Sequence, residues 1–245
     1  MPDRRDPREF FGKYHEAYGT SPGHARGQDL DVLLTGLGVQ QGESALDVAT
    51  GGGHTALRLA EKGLQVTVAD VTPAMLVDTV NRLNSGGFQV EAVEARAESL
   101  PWTDGTFDVV TCRRAAHHFD DVPGFLREAF RVLKDQGRIG ISDMTASGEH
   151  ILWLNHLEQL RDPSHHRALS PDEWYAQLVS IGFHRIELHL MEEPMSFAQW
   201  LAPVSVDSED GARALSFLQE DAPWEIVRGQ TFIKRRIVMW GCRMP

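Results

Sequence analysis

Cysteine is nearly missing from this chain. Cys112 and Cys242 are the only two in 245 residues, too few and too far apart for a disulfide framework or a C-x-x-C zinc or redox site. Long hydrophobic runs are also absent, and none approaches the roughly 20 residues a membrane span requires. The N-terminus, Met1-Pro2-Asp3-Arg4-Arg5-Asp6, is charged where a secretory signal is apolar. A cytoplasmic protein without a membrane span is the expectation. Basic residues are outnumbered, 24 against 35 acidic, for a net charge of −11 without blocks of like charge. That balance excludes nucleic acid as a partner, because tracking phosphates takes a stripe of Lys and Arg. Ile233-Lys234-Arg235-Arg236-Ile237 is the one basic cluster, and its alternation through an apolar run reads as a solvated strand face.

What is present is an alternation of short apolar runs and helix-periodic segments. Ala45-Leu46-Asp47-Val48-Ala49 runs into Thr50-Gly51-Gly52-Gly53-His54, a helical stripe follows (Ala56, Leu57, Leu59, Ala60), and Val66-Thr67-Val68-Ala69 closes on Asp70. Strand, glycine-rich turn, helix, strand and acid make a nucleotide-binding βαβ unit. Thr72-Pro73 then opens a helix ending at Gly86-Gly87. Strands are expected at 88–94, 107–112 and 139–143, with a helix at 122–133 between the last two. The result is an α/β fold with a largely parallel sheet covered on both faces. Ser170-Pro171-Asp172-Glu173 reads as a capping box, and a strand is expected near 184–190. Residues 1–37, 145–169 and 191–229 depart from the alternation and read as a lid. The core is placed at about 38–144, 170–190 and 230–243, all within a single domain of residues 1–245.

The glycines alone do not choose the nucleotide. Gly51-Gly52-Gly53-His54-Thr55-Ala56 satisfies G-x-G-x-x-A, and Asp70 follows Gly51 by 19 residues, close to dinucleotide spacing. An NAD-dependent oxidoreductase is therefore one reading. Asp47 argues against it, since a carboxylate in the first strand stands beside the place where an anionic pyrophosphate would meet the helix N-terminus. S-adenosyl-L-methionine suits the acid better, being cationic and free of phosphate. Asp70 is placed to accept both ribose hydroxyls. Glu98, after Ala97, is placed to accept from an adenine amino group, with Val71, Met75 and Leu100 flanking the ring.

Asp47-Val-Ala-Thr-Gly51-Gly-Gly53-His54, Asp70, Ala97-Glu98-Ser-Leu-Pro101, Phe107-Asp108-Val-Val, Ala115-Ala-His117-His118-Phe119 and Arg131-Val-Leu-Lys134 together resemble the class I S-adenosylmethionine-dependent methyltransferases. The ubiquinone/menaquinone-biosynthesis C-methyltransferase-like group (methyltransferase type 11) is the nearest in pattern, and the resemblance is dense over residues 44–143. It implies a Rossmann-like seven-stranded, mostly parallel sheet of order 3-2-1-4-5-7-6, its last strand antiparallel, with a helical lid. That order sets a strand between those of Cys112 and Cys242, which rules out their pairing. It also implies transfer of a methyl group to a small-molecule acceptor. The sequence departs from the family at Ala49, where glycine is common, and at Glu98, where aspartate is common.

The cofactor-binding residues expected are Asp47, Ala49, Gly51, Gly53, Asp70, Val71, Met75, Ala97, Glu98, Arg114 and Tyr18. Arg114 would meet the methionine carboxylate or make a surface salt bridge. Tyr14, Tyr18 and His24 would cover the methionine end or simply pack the arm. His117 and His118, past the fourth strand, are the candidate bases, with pinning of their loop as the other role. Asp162, His165 and His166 could join them around zinc, although nothing in their spacing demands a metal, and none is expected. Trp153, Phe197, Trp200 and Trp224 in the excursions suggest an apolar or aromatic acceptor, a lid core, or a dimer interface. A monomer or a homodimer is compatible with all of this, as is a non-catalytic S-adenosylmethionine-binding protein.

Overall fold

The structure, a computed structural model, describes residues 6–20, 27–220 and 222–244, with residues 17–20 described by backbone alone. Helices α1 (Pro7–Thr20) and α2 (Gln28–Leu37) precede β1 (Ser44–Val48). Then follow α3 (His54–Glu61), β2 (Gln65–Asp70), α4 (Pro73–Ser85), β3 (Glu91–Glu94) and β4 (Phe107–Arg113). A 3-10 turn at Ala116–His118, α5 (Val122–Val132) and β5 (Leu133–Met144) complete the alternating part. The remainder is α6 (Ile151–Arg161), α7 (Pro171–Ile181), β6 (Phe183–Ser196), α8 (Phe197–Leu201), α9 (Glu209–Gln219), β7 (Val227–Arg228) and β8 (Thr231–Arg243).

The sheet runs β3-β2-β1-β4-β5-β8-β6, with the two-residue β7 hairpinned onto β8. Strands β1 to β5 pair in parallel, and β8 lies antiparallel between β5 and β6. Discounting β7, this is the expected order 3-2-1-4-5-7-6. Residues 45–48 of β1 are buried, as a central parallel strand covered on both faces requires. Cys112 pairs with Ile141 and Cys242 with Arg138, so β5 separates the two free thiols. The expected capping box is present: Ser170 N–H donates to Glu173 Oε2 at 2.8 Å and Glu173 N–H to Ser170 Oγ at 3.3 Å.

Three regions differ from the sequence reading. Helix α2, expected as lid, is sheet cover: Leu30, Leu33, Leu34 and Leu37 are buried with Val109 and Val238. Its approach requires glycine on both sides, since a Cβ on Gly140 would come within 2.6 Å of Leu37 Cδ1 and one on Gly36 would overlap the Trp240 ring. The leucine period showed a buried helix but not its partner. Second, β6 continues through residues 191–196, expected as part of the lid, because β8 offers it a full-length partner up to Ser196↔Thr231. Third, the basic cluster is not a solvated face. With β8 inside the sheet, Arg235 points to one side toward Glu192 and Glu225, while Lys234 and Arg236 point to the other, where Arg236 is buried.

Helices α1, α6, α8 and α9 share a second apolar cluster that includes Phe10, Leu154, Leu157, Trp200, Leu218 and Phe232. Trp153 stacks on Phe217 at 5.0 Å, whereas Trp224 is 69% exposed and stands apart from this core. Among the described residues no helix is long and apolar enough to cross a membrane.

Candidate functional site

A cleft of about 1070 Å³, its open mouth included, lies at the carboxyl ends of β1, β2 and β4. Its floor is the turn after β1. There Ala49, Gly51 and Gly53 have φ of 53°, 55° and 76°, a region in which a side chain costs roughly 1–2 kcal/mol and glycine nothing comparable. A Cβ on Gly51 would meet nothing, so that backbone is open to a ligand, whereas one on Gly53 would come within 2.8 Å of the Thr79 side chain. Thr79 Oγ1 donates to the Gly51 carbonyl at 2.7 Å and holds the turn against α4.

Asp70 ends β2 facing this turn. Its Oδ2 accepts from Gly51 N–H at 2.9 Å and its Oδ1 from Thr72 N–H at 2.8 Å. Burial pushes its pKa up, opposed by these donors. The carboxylate lines the cleft beside the open Gly51 backbone, a position that suits a vicinal diol. Asp47, in contrast, is below the floor rather than on it: Oδ1 accepts from Thr111 Oγ1 and Oδ2 from Thr50 Oγ1, both at 2.7 Å. Burial pushes it up to about 6. Its influence on a ligand is through the floor, by charge, and not by contact.

Val71, Met75, Ala97 and Glu98 line one wall with Phe119. Glu98 Oε1 accepts from the Asp120 and Asp121 N–H groups at 3.0 and 3.4 Å, and Arg96 Nε lies 3.5 Å from Oε2. The longer acid therefore braces the loop after β4 while it lines the cleft.

The opposite wall holds a cluster invisible to local patterns. Asp29, the second residue of α2, is fully buried and takes two arginines of the β4 end. Arg113 donates Nε and Nη2 to it at 2.7 and 2.8 Å, Arg114 donates the same two groups at 3.2 and 2.7 Å, and Ser142 Oγ adds 2.8 Å. Although burial opposes ionisation, the two guanidinium groups hold this carboxyl far below its usual range. Arg114, at φ 58°, also reaches Glu193 Oε1 at 3.0 Å. It is thus a buried cleft residue and not a surface ion pair. Asp29 and Arg113 were missed because an acid ahead of a leucine stripe looks like any helix start.

The two candidate bases are separated by the fold. His118 lines the cleft, edge-on to the Phe11 ring of α1 at 4.8 Å, with Nδ1 3.2 Å from Ser164 Oγ. Burial, then the neighbouring His117, push it down to about 4, so it is uncharged at neutral pH. His117 is turned away. Its N–H donates to Asp143 Oδ2 at 2.9 Å, its Nδ1 is 2.5 Å from Asp143 Oδ1, and its carbonyl accepts from the N–H groups of His166 and Arg167. Pinning of the 164–167 loop is evident in these bonds. His165 instead pairs with Asn155 at 2.7 Å, and among the described residues no group of three or more His, Cys, Asp or Glu could hold a metal ion. From the arm, Pro7 and Phe11 line the cleft, and Tyr14 packs on Phe10 at 4.9 Å. The Tyr18 side chain and His24 lie outside the described residues.

This donor set fits S-adenosyl-L-methionine. Among the described residues the cleft's lining includes no lysine, its three arginines are already paired with acids, Arg113 and Arg114 with Asp29 and Arg96 with Asp120, and carboxylates stand at and under the floor. A pyrophosphate would find repulsion there, while a sulfonium and a ribose diol find partners. Comparison with known proteins agrees. A family described as a methyltransferase domain matches residues 46–141. The uncharacterized methyltransferase YcgJ of Bacillus subtilis (strain 168) is 34% identical over 194 residues, 78% of this chain and 77% of that protein. The ubiquinone/menaquinone biosynthesis C-methyltransferase UbiE of Cronobacter sakazakii is 37% identical over 107 residues, 42% of this chain and 43% of that one. The solved structure of the Bacillus subtilis YcgJ protein superposes with a TM-score of 0.83 at 28% identity, covering 90% of this chain and all of that one. The chain belongs to the S-adenosylmethionine-dependent methyltransferase family, and S-adenosyl-L-methionine is its cofactor.

Proposed function

We propose that the protein transfers a methyl group to a small-molecule acceptor with an apolar or aromatic body, by in-line displacement. The observation carrying this reading is the position of Asp70: a carboxylate fixed by the Gly51 and Thr72 N–H groups at the edge of a floor whose Gly51 backbone is open. When bound, the cofactor supplies a sulfonium methyl together with its leaving group. The chain then has mainly to position, and holding two reactants in line at about 3–3.5 Å supplies roughly 7–11 kcal/mol of the barrier.

Asp70 accepts the ribose hydroxyls, and the Ala49–Gly53 turn gives the nucleoside a close backbone wall. Val71, Met75 and Ala97 flank the base, with Glu98 beside them fixing the loop. Arg114, oriented by Asp29 and Glu193, takes the methionine carboxylate. Phe11 closes the methyl end against water and gives the acceptor an aromatic surface. His118, uncharged beside Phe11, is the side chain that can accept an acceptor's proton where one must leave. His117 is a positioning residue that holds the turn through Asp143.

Incubation with methyl-labelled cofactor and a small-molecule cell extract should place the label in a low-molecular-weight product, and Asp70→Ala should abolish this. A protein that binds S-adenosylhomocysteine yet labels no small molecule would overturn the reading in favour of a non-catalytic cofactor-binding role.

A further inference from the structure

One face of β8 carries Phe232, Lys234, Arg236, Val238 and Trp240 in alternation. Trp240 meets α2 at Gly36, Val238 is buried with the α2 leucines, and Phe232 packs on Trp200 at 5.0 Å. Two cations thus interrupt an otherwise apolar face between sheet and lid. Arg236 is 4% exposed and the Lys234 side chain 15%. Such a break in patterning costs stability and is expected mainly where function requires it.

Their partners leave donors over. Arg236 commits Nε to Glu193 Oε2 at 2.8 Å, and Arg114 commits Nε and Nη2 to Asp29 and Glu193. Lys234 Nζ has Glu158 Oε1 at 4.0 Å, beyond hydrogen-bond reach. Among the described residues no hydrogen bond reaches Lys234 Nζ or Arg236 Nη1 and Nη2, although both side chains are largely buried. The nearby acids are already shared: Glu158 takes Arg161 at 2.8 Å and Trp200 Nε1 at 3.0 Å, while Glu193 serves two arginines. Burial pushes the Lys234 ammonium down to about 8 against the opposing pull of Glu158. The layer is short of negative charge.

We propose that this layer is an anion subsite for the methyl acceptor, in which Lys234 Nζ and the Arg236 guanidinium take a carboxylate on the acceptor. Arg114 links it to the cleft, since Arg114 lines the cleft and shares Glu193 with Arg236. Lys234 is a further strand repeat away, about 7 Å along β8. The carboxylate is therefore an anchor and not the atom methylated, and the acceptor is an elongated acid whose other end reaches Phe11 and His118.

This subsite presupposes methyl transfer at the cleft, so S-adenosylhomocysteine binding is measured first, and its absence would overturn both. On the S-adenosylhomocysteine-loaded protein, titration calorimetry should find benzoate bound at least about tenfold more tightly than benzamide, the preference a charge-assisted pair confers. Lys234→Met should cut that ratio severalfold, Arg236 alone remaining, with S-adenosylhomocysteine affinity unchanged, and Lys234→Arg should keep it. Lys234→Gln serves where Lys234→Met does not fold. Equal binding of the two probes to the native protein, or a preference undiminished in Lys234→Met, would overturn the subsite. A third arm compares S-adenosylhomocysteine with 5′-methylthioadenosine, which lacks the carboxylate. If Lys234→Met narrows that gap instead, the carboxylate is the cofactor's and the acceptor assignment falls.

Discussion

The two walls of the cleft are built by different means. On the Asp70 side the floor and its anchors are contiguous: a left-handed turn, a strand-end acid and a helix start, all within residues 47–79 and held by backbone groups, with Ala97, Glu98 and Phe119 added from further along the chain. On the Arg114 side the parts come from distant segments. Asp29 of α2, Arg113 and Arg114 of β4, Ser142 of β5 and Glu193 of β6 meet only in the folded sheet. The first wall is a local grammar of φ angles, and the second an assembly of buried charge. Their stabilities should therefore respond to different insults.

Asp29→Ala should show the largest effect. It would leave Arg113 and Arg114 buried without their shared carboxylate, a loss of about 3–5 kcal/mol, read by denaturant unfolding. An unchanged midpoint would mean that this wall does not depend on its ion pairs. Asp47→Asn should act next and in the opposite direction. The pKa of Asp47 is raised from 3.8 to about 6 by burial, so its contribution to stability is present below 3.8 and is lost as pH rises through about 6. Removing the charge should stabilise the fold at pH 8 by up to about 3 kcal/mol, at 1.36 kcal/mol per unit, and the gap should close at pH 4. A stability difference independent of pH would show that Asp47 does not titrate in this range. Ala49→Gly should have the smallest effect. It relieves an L-residue at φ 53° but adds backbone freedom to the unfolded chain, for a net gain of about 1 kcal/mol or less, visible as a small rise in melting temperature with cofactor affinity kept.

The same contrast explains what was legible in the sequence. The β1 turn, the position of Asp70 at the end of β2, the Pro73 helix start and the Ser170 capping box follow from spacing within a few residues, and the fold has each of them there. Asp47 was rightly read as a strand acid, but which way it faces depends on Thr50 and Thr111, the latter 64 residues away. Helix α2 reads as lid in the sequence because its leucine stripe does not name the strands it covers. Lys234 and Arg236 looked solvated because alternation gives the period of a strand but not whether another strand lies beyond it. His117 and His118 were paired in sequence, yet a single 3-10 turn sends one to the cleft and the other to Asp143.

Thermal shift with S-adenosylhomocysteine and with NADH, on the native protein and on Asp70→Ala, tests the account most directly. S-adenosylhomocysteine should raise the melting temperature of the native protein and NADH should not. Loss of the carboxylate should weaken S-adenosylhomocysteine about a hundredfold, the value of charged hydrogen bonds to a ribose diol. Stabilisation by NADH alone, or S-adenosylhomocysteine binding indifferent to Asp70, would contradict it.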